Sequence, residues 1–277
     1  KEPKVKLNIN KWIISELNTV SKLIEKNIND YRFDEAARNI YQFVWHSYCD
    51  WYVELSKTIL NSKEKSSISE VKQTLSYVFK QILILLHPFI PFITEELWLK
   101  NKLDKPKNYL MFANWSNKKA NKDKQIKEVE NMINLISQLR AFKNELNVSP
   151  GSFVDMSIST LSKNDQLFIK KNQTVLKNLG RINSFLDTDK DKASANLVIK
   201  GDIFKIYFDQ SIDLSLIKEN LLKRQQKYQS ELDGISKRLS NKSFVERAPK
   251  NIVDQEKNNY NELQKNIDKI SITVKGL

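Results

Sequence analysis

The chain has 277 residues, 40% of them hydrophobic and 10% aromatic, which is enough apolar material for a folded core and argues against global disorder. Its formal net charge of +13 favours a polyanionic partner, because each neutralised phosphate releases counterions; solubility or an AT-rich genome would also explain the many lysines. The single cysteine, Cys49, excludes an internal disulfide, and no apolar run is long enough to predict a membrane span. A first residue of Lys1 instead of Met suggests an excised fragment.

Apolar residues at helical spacing predict four helices in the first part of the chain. The predicted spans are 9–30, about 33–60, about 69–86, and a short helix from Thr94. Asp34 is the predicted N-cap of the second helix and Thr94 that of the fourth, while Pro88 and Pro91 interrupt the third. Short connections between the helices predict an antiparallel bundle.

The middle of the chain changes character after a polar stretch at 116–124. A helix is predicted over 124–146, and it stops where proline and glycine occur in 147–151. Beyond it, alternation of apolar and polar residues predicts strands, with a short helix near 165–179 among them. The predicted strands cover 153–158, 194–200 and 203–208. These elements predict a small α+β unit.

The last section has two narrow apolar seams with steps of three, four and seven residues, the spacing of a coiled coil. The first seam runs through Leu221 to Leu239 and the second through Val253 to Ile270. Pro249 and its neighbours break the helix between them. The pattern predicts an antiparallel hairpin whose arms, of about 24–28 residues, reach about 36–42 Å.

The predicted fold class is therefore mainly α, in three parts. An antiparallel helical bundle occupies residues 1–118. A helix and a small α+β connecting subdomain occupy 119–212, and a C-terminal coiled-coil hairpin occupies 213–277.

One helix, over residues 41–57, is crowded with tryptophan, tyrosine and phenylalanine, which at this spacing mostly fill a core. Asp50, Glu54 and Lys57 follow one another at steps of four and three residues, so pairing with Lys57 explains the two acids better than acid–base catalysis. His46 and Cys49 share a helix face, and we predict a buried structural pair there instead of two metal ligands.

Four stretches are more specific than composition. They are Tyr31-Arg-Phe-Asp-Glu-Ala-Ala37, the aromatic helix with its Cys49-Asp-Trp-Tyr52, Leu86-His-Pro-Phe-Ile-Pro-Phe-Ile-Thr-Glu-Glu-Leu-Trp98, and Leu239-Ser-Asn-Lys-Ser-Phe-Val-Glu-Arg-Ala-Pro249. Together these stretches resemble the anticodon-binding bundle of class Ia aminoacyl-tRNA synthetases. The bacterial valyl-tRNA synthetase family is the most similar, because the terminal hairpin resembles the C-terminal coiled coil peculiar to valyl enzymes.

The resemblance implies a role in binding and positioning tRNA, as part of a valine–tRNA ligase. The H-I-G-H and K-M-S-K-S motifs, which carry ATP binding and adenylate formation in this family, do not occur in the sequence, and neither does the editing domain. The resemblance therefore places aminoacylation, with its ATP and Mg²⁺, in a part of the enzyme outside this sequence, and it implies no catalytic residue, metal or cofactor here.

Unpaired anticodon bases are read by stacking and by hydrogen bonds to their exposed edges. The predicted anticodon contacts combine a ring with cations, and Phe33 is alternatively a hydrophobic staple. They are Arg32, Phe33, Arg38, Lys57, Arg140 and Lys143. The predicted arm contacts face backbone phosphate, which positions RNA without reading its sequence. They are Lys223, Arg224, Lys227, Lys237, Arg238, Lys242, Arg247 and Lys250.

The implied partner is a valine tRNA, and we expect a cytoplasmic monomer with no DNA or membrane partner. Three other hypotheses remain open at this stage. The first is the anticodon region of an isoleucyl or leucyl enzyme, the second a noncatalytic coiled-coil interaction protein, and the third a free-standing tRNA-binding cofactor.

Overall fold

The structure, a computed structural model, describes residues 2–103, 108–115, 124–190, 192, 194–199, 201–209, 212–241, 249–275 and 277. It contains two compact units, Lys1–Asn134 and Leu135–Leu277. The mainly α fold with a small sheet confirms the predicted class. The division into three domains stays a prediction.

The first unit is built on long helices joined by short turns. In chain order these elements are α1 (Asn8–Asn29), α2 (Phe33–Gln42), a π-helix (Phe43–Val53), α3 (Glu54–Leu60), α4 (Lys65–Leu86), α5 (Pro91–Lys100) and a 3-10 turn (Leu110–Phe112). One cluster of the core lies at the end of α4, where Trp98 packs with Leu83, Ile84 and Leu110. The Trp98 indole donates to the carbonyl of Asn108 at 2.9 Å, which satisfies its one polar atom.

The carboxylate of Glu70 joins the start of α4 to the start of α1. Its Oε1 accepts the backbone N–H groups of Lys6 and Leu7 and the side-chain amide of Asn10, each at 2.9 Å. The first N–H groups of a helix have no partner within the helix, and an anion at that end is stabilised by the helix dipole. Glu70 therefore fixes α1 and α4 with their N-termini together.

Two tyrosines fix the direction of the α2 and π-helix segment. The hydroxyl of Tyr52 donates to Asn10 Oδ1 at 2.7 Å, and that of Tyr48 reaches the carbonyl of Leu75 at 3.5 Å. The segment thus runs antiparallel to both α1 and α4, with Tyr52 at the end where those helices begin. Continuing the Tyr48–Leu75 register towards the N-terminus of α2 places Phe33 at the level of the end of α4.

The π-helix changes which residues the second predicted helix buries. Its buried apolar positions are Ala36, Ile40, Phe43, Tyr52 and Leu55. The wider i→i+5 turns delay the return to the core, so the buried stripe moves off the 3.6-residue period used for the prediction. The rings of Tyr41, in α2, and Trp45, in the π-helix, are exposed, at 61% and 54%, and stack on each other with centroids 6.2 Å apart. The prediction that Tyr41 lies on the buried face was wrong.

Two predicted caps were also wrong. The N-cap of α2 is Arg32, and Asp34 lies inside the first turn, where its charge complements the helix dipole. Thr94 is buried within α5, and its hydroxyl donates back to the carbonyls of Ile90 and Pro91. The α5 helix begins at Pro91 because the missing N–H of proline costs nothing at the first helical position.

The second unit contains a four-stranded sheet with order β2-β1-β4-β3. In chain order the elements are α6 (Lys124–Glu145, which begins in the first unit), β1 (Val154–Ser157), α7 (Lys163–Gly180), β2 (Ile182–Leu186), β3 (Ala195–Ile199) and β4 (Asp202–Phe208). β1 and β2 are parallel and connected by α7, whereas β4 is antiparallel to β1 and β3. The predicted strands are confirmed, and β2 was missed.

The predicted hairpin is formed by α8 (Leu214–Ser240) and α9 (Lys250–Val274), which pack on each other. Its buried seam confirms the predicted positions Leu221, Leu232, Ile235, Val253, Ile267 and Ile270. At its base, the Thr273 hydroxyl donates to the carbonyl of Asn196 at 3.1 Å, and the Asn196 amide donates to the carbonyl of Ile272 at 3.1 Å. These bonds join α9 to β3.

Candidate nucleic-acid interface

The structure brings Arg32, Phe33 and Arg38 together where α2 begins. Both guanidiniums lie 3.3 Å from one carboxylate, Glu35, and their side chains remain about 60% exposed, at 60% and 61%. Phe33 is exposed and meets Tyr31 edge-to-face at 6.4 Å. The two guanidiniums thus share one carboxylate, so the start of α2 carries less positive charge than two arginines alone would give. Its contact with the anticodon stays a prediction.

The other predicted anticodon contacts are engaged within the protein. Lys57 pairs with Glu54 at 2.5 Å, as the helical spacing predicts. Arg140 and Lys143, on α6, both point to the end of α7, where the guanidinium of Arg140 donates to the carbonyl of Leu179 at 3.0 Å. Cations are favourable at a helix C-terminus, because the last carbonyls have no partner within the helix.

Lys143 is only 1% exposed. Its ammonium donates to the carbonyls of Ser152, Gly180 and Arg181 at 2.8, 3.1 and 3.4 Å. Burial, and then the nearby guanidiniums of Arg181 and Arg140, lower the pKa of Lys143 to about 8. An ammonium enclosed by three carbonyls cannot reach an RNA phosphate in this structure, so an internal role replaces the predicted contact.

The predicted arm cations fall into two groups. Lys223 pairs with Glu219 at 2.6 Å, Arg238 lies 3.3 Å from Glu256, and Arg224 donates to the Tyr228 hydroxyl at 2.8 Å. Within the described part of the hairpin, the remaining cations form no ion pair and are exposed. They are Lys227, Lys237 and Lys250. Lys242 and Arg247 lie outside the described residues.

A groove of about 660 Å³ crosses the hairpin beside Gly234. No atom lies within 4 Å of the position that a Cβ would take at Gly234, so the space is open. The groove is lined by Glu231 and Glu262 as well as by Arg238, and its charge is therefore net negative. A net negative lining does not favour phosphate.

Sequence reasoning missed a basic surface on the first unit. Four exposed lysines lie on the two segments at the end of the bundle where α1 and α4 begin, and we call this surface the basic end. They are Lys4, Lys6, Lys63 and Lys65. The segment before α1 and the turn between α3 and α4 are about sixty residues apart in sequence, and the Glu70 contacts help to hold them at the same end of the bundle. No sequence motif marks this surface.

The exposed face of the π-helix holds no buried His–Cys pair. Cys49 is exposed, and His46 Nδ1 lies 3.2 Å from the carboxylate of Asp50, so the predicted burial was wrong. Among the described residues, no group of three His, Cys, Asp or Glu side chains could hold a metal ion. None of the helices in the described ranges combines the length and apolarity needed to cross a membrane.

Comparison with known proteins identifies the two segments that carry these surfaces. A family model described as the anticodon-binding domain of tRNA ligase matches residues 10–158, more than half of the chain. A second model, the valyl tRNA synthetase tRNA binding arm, matches residues 213–277, which include the whole hairpin.

Among curated proteins, the chain is similar to valine–tRNA ligases along its full length. It is 58% identical to the enzyme of Pelagibacter ubique over 100% of the chain, which is 32% of that protein. Identity to the enzyme of Ruegeria pomeroyi is 34% over 92% of the chain and 25% of the relative, and to that of Aquifex aeolicus 30% over 96% and 24%. The chain thus spans a third or less of the length of these relatives.

The Lys143→Met substitution should destabilise the second unit by about 2–4 kcal/mol, because it leaves buried carbonyls at the end of α7 without a donor. The free energy of opening, measured by hydrogen exchange of the α7 and β1 amides, reports on this unit alone. Lys127→Met, at an exposed position of the same helix, is the matched control. A loss no larger than that of the control would contradict the capping role.

The same lysine should make stability depend on pH. Its pKa is about 8 in the folded chain and near 10.5 when unfolded, so between these values the unfolded state binds the proton more tightly. The free energy of unfolding should therefore rise from pH 8 towards 10.5, and this gain is absent below pH 8, where both states are charged. The difference between wild type and Lys143→Met isolates this contribution, and a difference that is flat with pH would rule it out.

Proposed function

Because the chain belongs to the anticodon-binding domain family of tRNA ligases, with a valyl-type tRNA-binding arm after it, we propose that it binds and positions a valine tRNA. The observation that carries this proposal is the set of exposed lysines on the hairpin that lack an acidic partner among the described residues. From Leu214 onward, 13 lysines and arginines stand against 8 acidic residues, which gives this section a net charge of +5.

In this proposal the hairpin supplies grip without reading sequence. Lys227, Lys237 and Lys250 would contact backbone phosphate, and such contacts set the position and orientation of an RNA. The negative groove beside Gly234 supports the assignment, because it leaves the lysines as the attractive part of the arm.

The basic end is the surface of the bundle that best fits the anticodon arm. Residues 3–7 and 61–65, counted together with Glu70, carry a net charge of +2, and Glu70 connects the first segment to the start of α4. Its lysines are exposed, whereas the guanidiniums of Arg32 and Arg38 share the carboxylate of Glu35. We therefore place the first contact with the anticodon arm at the basic end, and contact by Arg32, Phe33 and Arg38 remains the competing prediction.

The reaction that this binding serves would be the ATP-dependent joining of valine to its tRNA. The names of the similar proteins support valine, and the chain spans only a third or less of their length. The chemistry would therefore be performed by a part of the enzyme beyond the matched region. In the cell we expect a cytoplasmic monomer, as for an enzyme whose substrate is free tRNA.

Reversing two arm charges should weaken binding to every tRNA by a similar factor. We expect Lys227→Glu with Lys237→Glu to lower the slope of log affinity against log salt by about 1–2, because each lost phosphate contact removes about one released counterion. Filter binding across a salt series measures the slope. Lys163→Glu with Lys177→Glu on α7 makes the same charge change away from the arm. A loss confined to valine tRNA, or an equal loss in the control, would contradict the positioning role.

Reversing charges at the basic end should instead weaken binding of an isolated valine anticodon stem-loop. Lys63→Glu with Lys65→Glu should reduce its affinity about tenfold or more, since two attractive phosphate contacts become repulsive. The control is Lys22→Glu with Lys26→Glu, exposed on the second half of α1. Unchanged stem-loop affinity, together with a loss in Arg32→Glu, would move the anticodon to the start of α2.

A further inference from the structure

The end of the bundle opposite to the basic end exposes large apolar side chains. Two connections lie at this end: the one between α1 and α2, and the one between α4 and α5. We call the surface that they form the apolar end. Its residues are Tyr31, Phe33, Ile90, Phe92 and Ile93.

The helix register places both turns at the same level. Glu70 lies beside Asn10, and Tyr48 lies beside Leu75. From these anchors, α1 extends 19 residues to Asn29 and α4 extends 16 residues to Leu86, or about 28 and 24 Å at 1.5 Å per residue. The two helices therefore end within a few ångströms of the same height, and α2 starts from there.

The exposure of this surface is large for a soluble protein. Phe92 is 90% exposed and Tyr31 is 83% exposed, while Ile93 and Phe33 are each just over half exposed, at 52% and 53%. Single exposed apolar residues are common, but a contiguous group of large ones marks a place where another surface binds. The proline at position 91 also holds this turn in a defined shape, because its ring fixes φ.

Charge distinguishes between a protein and an RNA as the occupant. Residues 30–38 and 87–100, which include the ion-pair partners of Glu35 and Glu96, together carry a net charge of −2. RNA would bring its phosphates next to these carboxylates, which is unfavourable. An apolar protein surface with a basic rim would be complementary both to the rings and to the acidic surround.

We propose that the apolar end is the docking surface for the remainder of the ligase, through an apolar patch with lysine or arginine at its rim. This inference rests on the proposed function, because the relatives extend far beyond the matched region: the chain covers only 32% of the Pelagibacter ubique enzyme. Opposite placement of the two surfaces would then make the bundle a spacer, with the anticodon arm at one end and the rest of the enzyme at the other.

The test compares thiol labelling in two contexts. One is this chain alone, and the other is a chimera in which it replaces the matching region of the Pelagibacter ubique ligase. In a Cys49→Ser background, Tyr31→Cys and Phe92→Cys are labelled with a maleimide, and rates are measured peptide by peptide by mass spectrometry. Leu167→Cys, on α7 and 65% exposed in the chain, is the matched control.

We expect both apolar-end thiols to react at least about tenfold more slowly in the chimera, since a buried thiol reacts only when the interface opens. The control thiol should keep its rate. Equal rates in chain and chimera at all three positions would overturn the proposal. Protection of Tyr31→Cys and Phe92→Cys by tRNA added to the isolated chain would overturn it as well, in favour of an RNA contact at this end.

Hydrogen exchange of the unsubstituted chimera provides a second measurement, independent of any cysteine variant. The amides of residues 27–35 and 87–96 should exchange more slowly in the chimera than in the chain. This outcome is separate from the proposed function, which is tested by tRNA binding to the isolated chain. A chain that binds tRNA but shows no protection in the chimera would contradict the docking surface alone.

Discussion

A single carboxylate, that of Glu70, determines how the helices of the first unit are aligned. By accepting two backbone N–H groups at the start of α1 and the amide of Asn10, it holds the N-termini of α1 and α4 at the same level. The alignment of α1 with α4, together with the Tyr48 and Tyr52 contacts, sets which residues lie at each end of the bundle. Lysines from distant parts of the sequence lie at one end, and large apolar side chains from two separate connections lie at the other. Sliding α4 by one turn would separate both groups, although every helix would still form.

The second unit depends on a comparable contact, with the charges exchanged. This contact lies at the C-terminus of α7, where the last carbonyls have no partner within the helix. Arg140 and Lys143 of α6 donate to them. Gly180 permits the approach, because a Cβ there would lie 3.1 Å from Ile182 and 3.6 Å from Leu139 of α6. Arg181 then takes a left-handed conformation, with φ of 53°, and the chain turns into β2. The parallel pairing of β1 and β2 is reached through this junction.

Much of the fold could be predicted from the sequence, because its long apolar periodicities dominate local structure. The α1, α6 and hairpin helices were found within a few residues of their observed ends. The π-helix could not be foreseen, since the 3.6-residue period assumes α-helical turns throughout. Strand β2, with Asn183 and Ser184 between its apolar residues, has too weak an alternation to stand out. In the candidate site, residue type identified the cations but not the groups that they contact within the protein. Lys143 and Arg38 look alike in sequence, and only packing distinguishes the buried lysine at the end of α7 from the exposed arginine.

The hairpin has a mechanical consequence that follows from where it is attached. Its described links to the sheet lie at the base, through Asn196, Ile272 and Thr273, whereas α8 runs for 27 residues, or about 40 Å. The hairpin is thus a long element held to the sheet at one end. A rotation of about 5° at the base displaces the far end of α8 by about 3–4 Å. Small adjustments in the packing of α9 on β3 would therefore be amplified along the arm, so that a stiff hairpin can follow RNAs of slightly different shape without unfolding any of its seam.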